Sequence, residues 1–187
     1  MHALAAGRLL VATPLLTEPS FHRAVVLLLQ HGAGDGALGV VVNRPSGTGV
    51  GEVLPGWDVL AARPGVVFDG GPVQPSAAIC LGRVEVGVDH PACAVLSGAP
   101  TLATVDLEVD PEAVRPAVRQ VRVFAGYAGW APGQLEGEVE QGAWWVLDGL
   151  PGDGFSDAPA QLWRQVLTRQ GMPLALAASY PSDPTLN

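Results

Sequence analysis

The sequence predicts a single α+β domain in which short strands alternate with short helices, and three observations lead there. First, 187 residues at 48% hydrophobic content suffice for one well-buried core and are too few for two ordinary domains. Second, the 24 glycines and 17 prolines punctuate apolar runs rather than cluster, which marks many turns between short elements instead of disorder. Third, residues 24–30 and 38–43 are nearly continuous apolar runs. Strands without an alternating polar face belong at the centre of a sheet covered on both sides.

The elements follow in order. Residues 9–12 read as a strand closed by Thr13 and Pro14, and residues 18–21 as a turn whose Phe21 anchors into the core. His31 to Gly36 is a glycine-rich connection joining the strands at 24–30 and 38–43 as a hairpin. Residues 50–54 are a short helical stretch followed by a loop with Trp57, and residues 66–68 are a strand running into Asp69-Gly-Gly-Pro72. Two glycines before a proline permit a sharp turn or a close backbone approach. Residues 77–81 and 92–96 are strands, and 102–107 is weakly strand-like. Asp110 caps a helix with Pro111 in its first turn, and Pro116 limits that helix to about two turns.

The stretch around which the chain is organised runs from Arg122 to Trp145. Residues 121–125 read as a buried strand ending at Gly126, and Tyr127, Gly129 and Trp130 as a tight aromatic turn. Pro132 suits the first position of a helix, where its missing N–H is no loss. Leu135 and Val139 mark that helix's apolar side, with Glu136, Glu138 and Glu140 mostly in water. Gly142 ends it, and residues 143–147 form the next strand. After a polar loop at 150–157, residues 158–170 form the last helix, with Leu162, Trp163, Val166 and Leu167 inward and Gly171 as its stop. The domain is expected to span 1–176, with 177–187 a loosely ordered tail.

Charge narrows the range of partners. The formal net charge is -8 and all ten basic residues are arginines, with no basic run. That balance offers no footprint for a phosphate backbone, so direct nucleic-acid binding is not expected. No apolar run reaches membrane-spanning length and no secretory signal is evident, so a cytoplasmic protein without membrane association is expected. Cys80 and Cys93 lie inside apolar runs, where a free cysteine behaves as a small hydrophobe. A disulfide between them is geometrically open if their strands are adjacent, and is disfavoured in a reducing compartment. No CxxC or histidine cluster is present, so neither a metal nor another cofactor is expected.

The catalytic and binding residues come from strand ends and turns. The signatures of serine hydrolases, zinc proteases and nucleotide-binding loops are absent. Asn43 and Arg44 project from a strand that Pro45 terminates, which suits either a ligand held at that end or a turn closed by Asn43 with Arg44 paired to an acid. His31, at a strand end beside glycines, is a general base if a nucleophile is near and a structural histidine otherwise. Glu138 is the one helix carboxylate able to turn toward the aromatic corner; in solvent it is an ordinary surface acid.

Three ordered stretches resemble the YqgE/AlgH family of bacterial proteins: LLVATPLLTEPSFHRAVVLLLQH followed by GALGVVVNRP, then VFDGGPV, then GYAGWAPGQLEGEVEQGAWW. The resemblance spans residues 7–176 and implies a mixed, partly barrel-like sheet flanked by short helices. It brings no established enzymatic activity, and the family name comes from a proposed regulatory role in alginate production. Its recurring positions fall on His31, Asn43, Arg44, Gly70, Gly71, Tyr127, Gly129, Trp130 and Gln134, which become the ligand-binding candidates. Ala24 and Leu29 stand where the family often has a hydroxyl residue and a cysteine, so a thiol mechanism at that strand does not transfer. The expectation is a binding or regulatory protein that holds a small anionic or peptide-like ligand between Asn43-Arg44 and the 127–134 corner. The alternatives are a hydrolase using His31 or Glu138 in the same cleft, and an interaction module or indirect transcriptional regulator presenting Trp57, Trp130 or Trp144 to a protein partner.

Overall fold

The computed structural model describes residues 3–180. The N-terminal half runs β1 (Arg8–Ala12), β2 (Val25–Gly32), β3 (Gly36–Val41), β4 (Pro45–Gly49), α1 (Val50–Val53), a 3₁₀ turn (Trp57–Val59), β5 (Val66–Asp69) and β6 (Val73–Val84). There follow β7 (Cys93–Leu96), β8 (Ala99–Val105), α2 (Pro111–Val114), β9 (Val118–Trp130), α3 (Gln134–Glu140), β10 (Trp144–Asp148), a 3₁₀ turn (Asp153–Phe155), α4 (Pro159–Arg169) and α5 (Leu174–Ala177).

All ten described strands belong to one sheet, ordered β10-β1-β2-β3-β9-β6-β8-β7, with the β4–β5 pair joined to β9 through β5. The pairings are antiparallel except β5 with β9, so the sheet is mixed as expected. It does not close into a barrel, since the end strands β10 and β7 do not pair. It does curl: a Cβ on Gly98, in the β7–β8 turn, would lie 1.9 Å from the carbonyl oxygen of Ala6, just before β1.

Strands β1 to β3 are covered on both faces, as their apolar runs require. Leu9, Val11, Val25 and Leu27 pack with Leu162, Trp163, Val166 and Leu167 of α4. Their sequence neighbours Leu10, Val26 and Leu28 face the opposite way, into a second cluster with Trp130, Leu135 and Trp144. An isolated helix of eleven residues is marginal in water. Burying each apolar side chain of α4 contributes about 2 kcal/mol, so the packed face is what holds it. Arg169 fixes the loop before α4 by clamping Asp153 through two bonds of 2.6 Å.

Two local expectations change. The helix capped by Asp110, whose carboxylate accepts from Glu112 N–H at 2.9 Å, is one turn rather than two. The strand expected to stop at Gly126 continues to Trp130: Gly126 takes a φ of 71° opposite an irregular stretch of β6, residues 74–77, and pairing resumes at Tyr127 with Val73. The aromatic turn is therefore part of β9, and the following helix begins at Gln134, two residues after Pro132. Part of the tail assigned to 177–187, residues 181–187, lies outside the described residues.

Candidate functional site

The end of β3 is where the sequence places its two polar candidates, and their side chains do different work. Asn43 Oδ1 accepts from Val25 N–H and its Nδ2 donates to the Arg23 carbonyl, both at 2.9 Å. Its amide replaces a stretch of backbone ladder at the start of β2, which is the turn-closing role. Arg23, pinned this way, holds a φ of 54°, a conformation costly for a non-glycine residue.

Arg44 is differently placed. One Nη2 bond of 3.1 Å to the His22 carbonyl orients its guanidinium. Among the described residues no carboxylate forms an ion pair with it. Arg44 lines a cavity of about 250 Å³ together with Pro19, Ser20, Val41, Asp69, Gly71 and Pro72. Asp69 stands directly across the ladder, donating its N–H to the Arg44 carbonyl at 2.8 Å, and its carboxylate accepts from Gly71 N–H at 3.3 Å.

Gly71 lines this cavity, and it and Gly70 are glycines for a reason of packing. A Cβ on Gly70 would lie 2.3 Å from the Gly126 carbonyl oxygen, and one on Gly71, at a φ of 146°, would lie 2.4 Å from the Tyr127 carbonyl carbon. Here the chain leaving β5 touches β9 backbone to backbone. The close approach expected of this glycine pair is an approach to the protein itself. Half-buried Tyr127 packs against the main core, pairing with Val73 across the ladder.

A second cavity, of about 690 Å³, shares Asp69, Gly71 and Pro72 with the first. Val67 and Phe68 of β5, Ala77 and Ala78 of β6, Val123 and Ala125 of β9 and Leu54 give it an apolar lining, with Ser46 and Thr48 at the rim. Arg122 buttresses this wall from behind. It is 2% exposed, its guanidinium lies 4.1 Å from the Phe68 ring centroid, and it donates to the carbonyls of Ser156 (2.9 Å) and Arg63 (2.6 Å). Among the described residues its Nε has no hydrogen-bond partner. Burial lowers its pKa from 12.5 to about 10, and Asp157 acts in the opposite direction.

The remaining candidates gather elsewhere. Trp130 pairs with Ala37 at the beginning of β3, whereas Asn43 and Arg44 lie beyond its end. At about 3.3 Å per residue, the two groups are about 20 Å apart along the strand. The single cleft expected between Arg44 and Gln134 does not form; His31, Trp130 and Gln134 make a separate cluster, and Gly129 lies in the intervening strand.

That separate cluster is closed on itself. Gln134 Oε1 accepts from Ala131 N–H at 3.0 Å and its Nε2 donates to Glu138 Oε1 at 3.0 Å, so the Ala131 N–H at this corner is engaged. Glu138 Oε2 accepts from both indoles, Trp130 at 2.9 Å and Trp144 at 2.8 Å. Glu138 is thus an aromatic anchor rather than a surface acid. Trp57, Trp130 and Trp144 are all buried, so none of them presents an exposed aromatic anchor.

His31 Nε2 bonds Glu136 Oε1 at 2.8 Å, and that hydrogen bond lowers the Glu136 pKa below its ordinary 4.5. His31 also lines a cavity of about 510 Å³ with Cys80, Ser97 and Thr104, but no hydroxyl or thiol among the described residues hydrogen-bonds to it. Burial pushes the thiols of Cys80 and Cys93 up, which keeps them protonated. Their strands are not adjacent: β8 lies between them, with Cys93 registered to Val105 on one side and Leu81, next to Cys80, registered to Thr104 on the other. Two strand spacings put them about 10 Å apart. A disulfide requires Cα atoms within about 7 Å, so the open disulfide alternative is excluded.

Asp69, which lines the cavity beside Arg44, and Arg122, which backs the neighbouring wall, are the residues that sequence reasoning missed. Asp69 carried a signal, an acid directly preceding the Gly-Gly-Pro turn. Arg122 carried another, a lone charge inside an apolar strand run.

Comparison with known proteins agrees with this architecture. The AlgH-like family model matches residues 9–175. A UPF0301 protein of Streptomyces coelicolor is 51% identical over 97% of this chain and 94% of its own length. A UPF0301 protein of Mycobacteroides abscessus is 49% identical, over all of this chain and 89% of its own. Among solved structures, protein DIP2367 of Corynebacterium diphtheriae superposes with a TM-score of 0.89 at 35% identity, covering 96% of this chain and 94% of that one. The AlgH protein of Pseudomonas aeruginosa gives 0.70 at 28% identity, covering 97% and 98%. With the family model covering nearly the whole described chain and the same fold in two solved relatives, this chain belongs to the AlgH-like family.

Proposed function

We propose that this chain is a binding protein, with a regulatory rather than catalytic task, whose ligand is a small carboxylate-bearing or peptide-like molecule held by Arg44. The observation that carries this reading is Arg44, which lines a 250 Å³ cavity, its guanidinium oriented by one backbone carbonyl and without an acidic partner among the described residues. A fixed guanidinium presents parallel N–H groups that match the two oxygens of a carboxylate. The adjoining apolar cavity gives the rest of such a ligand a place to leave water. The cytosol suits the two unpaired thiols. Thermal-shift screening against small carboxylates, followed by titration calorimetry of the hits, tests the reading. Arg44→Gln is expected to abolish the binding seen with the unaltered chain. Retention of full affinity by that variant refutes the assignment.

The hydrolase alternative finds less support in the geometry. Both oxygens of Glu138 are engaged by neighbouring side chains, and no nucleophile hydrogen-bonds to His31 among the described residues.

A further inference from the structure

The carboxylate reading leaves one wall of the cavity unexplained. Arg44 and Asp69 are cross-strand neighbours joined by a backbone hydrogen bond, and both line the same 250 Å³ space. Side chains in that relation start from Cβ atoms about 5 Å apart, and opposite charges so placed ordinarily close into an ion pair. These two do not: Arg44 is drawn to the His22 carbonyl and Asp69 to the Gly71 N–H. The result is a cavity with a cation on one wall, an anion on the next and no net charge.

We infer that the site selects zwitterions, and that its ligand class is an apolar α-amino acid: carboxylate on Arg44, ammonium on Asp69, side chain toward the trough lined by Val67, Phe68 and Val123. This inference rests on the proposed function and sharpens it. A plain carboxylate that satisfies Arg44 brings its charge up against Asp69, and a plain amine that satisfies Asp69 meets Arg44 in the same way. Only a molecule carrying both groups a bond or two apart answers both walls, which makes Asp69 a specificity determinant through repulsion as much as attraction.

The test is titration calorimetry on the full chain with two ligand series. One is L-leucine, 4-methylpentanoate and 3-methylbutylamine; the other is L-phenylalanine, 3-phenylpropanoate and 2-phenylethylamine. The unaltered chain should bind one of the amino acids at least about tenfold more tightly than its deaminated or decarboxylated analogue, since a site built to pair a group rejects the analogue lacking it. Asp69→Asn should erase that preference while keeping the carboxylate, and Arg44→Gln should lose every carboxylate. Equal affinity for an amino acid and its deaminated analogue overturns zwitterion selection and leaves the carboxylate reading standing. Absence of binding throughout overturns both. The ligand series on the unaltered chain decides the matter even where a variant misfolds.

Discussion

Glu138 Oε2 receives the indole N–H of Trp144 at 2.8 Å, and the same oxygen receives that of Trp130 at 2.9 Å. The two rings meet edge to face with centroids 6.0 Å apart, and Phe21 packs on both. One carboxylate thus holds an aromatic corner between α3, β9 and β10. Glu138→Ala leaves two buried N–H donors without acceptors and should cost about 2–3 kcal/mol in urea unfolding. Glu138→Gln keeps one acceptor oxygen and should lose less than about 1 kcal/mol. Both variants should retain ligand affinity at Arg44, about 20 Å away.

Arg122 makes a different structural demand. Truncation to Ala removes a large buried side chain behind Phe68 and strips the donors from the carbonyls of Ser156 and Arg63. The expected loss is about 3–5 kcal/mol by urea unfolding. Arg122→Met restores volume without paying to desolvate a charge and should recover at least half of it. A loss as large as that of the Ala variant shows that the two hydrogen bonds, not the filled space, dominate.

Gly71→Ala places a methyl group against the Tyr127 backbone in a conformation L residues avoid. The neighbour is main chain and cannot yield as a flexible side chain would. We expect a loss of about 2–3 kcal/mol, in line with overpacking, together with a weakening of the Arg44 site at least as large as for a change remote from it. Circular dichroism melts with parallel ligand titration separate the two effects.

The contact between His31 and Glu136 predicts a pH dependence. A carboxylate whose folded pKa lies below its ordinary 4.5 stabilises the fold above that pH, and the contribution fades as the pH falls through the lowered value. The Glu136 side chain is 39% exposed, so screening keeps the effect under about 1 kcal/mol. The stability gap between the unaltered chain and Glu136→Gln should be present at pH 6 and shrink steadily below about pH 4.5. A gap independent of pH there removes the hydrogen bond as its source.

Arg44→Gln should leave stability within about 1 kcal/mol, because the side chain contributes one hydrogen bond at a partly exposed position. The same change should eliminate carboxylate binding. An unfolding midpoint that falls sharply with it makes Arg44 a structural residue.

What was legible in the sequence was what is encoded locally. The hairpin of β2 and β3, the inward face of α4 and the Asp110 cap follow from hydrophobic period and turn chemistry within a few residues of each other. The course of β9 was not legible, because Gly126 and Gly129 look like turn residues until β3 and β6 are known to flank them. The candidate site was half legible. Arg44 stood out as a strand-end arginine, but pairing it with Asp69 rather than with Gln134 depends on β4 folding back onto β5. Strand order is a property of the whole chain, and no local pattern near Arg44 reports it.

The crossing of Gly70 and Gly71 over Gly126 has a bearing on how this pocket can diversify. Its base is main chain packed on main chain, so its contour is indifferent to side-chain replacement and intolerant of any atom added there. Altered ligand preference must therefore enter through the surrounding lip, at Pro19, Ser20, Val41 and Pro72, and those are the positions at which a library of variants would retune recognition while leaving the foundation intact.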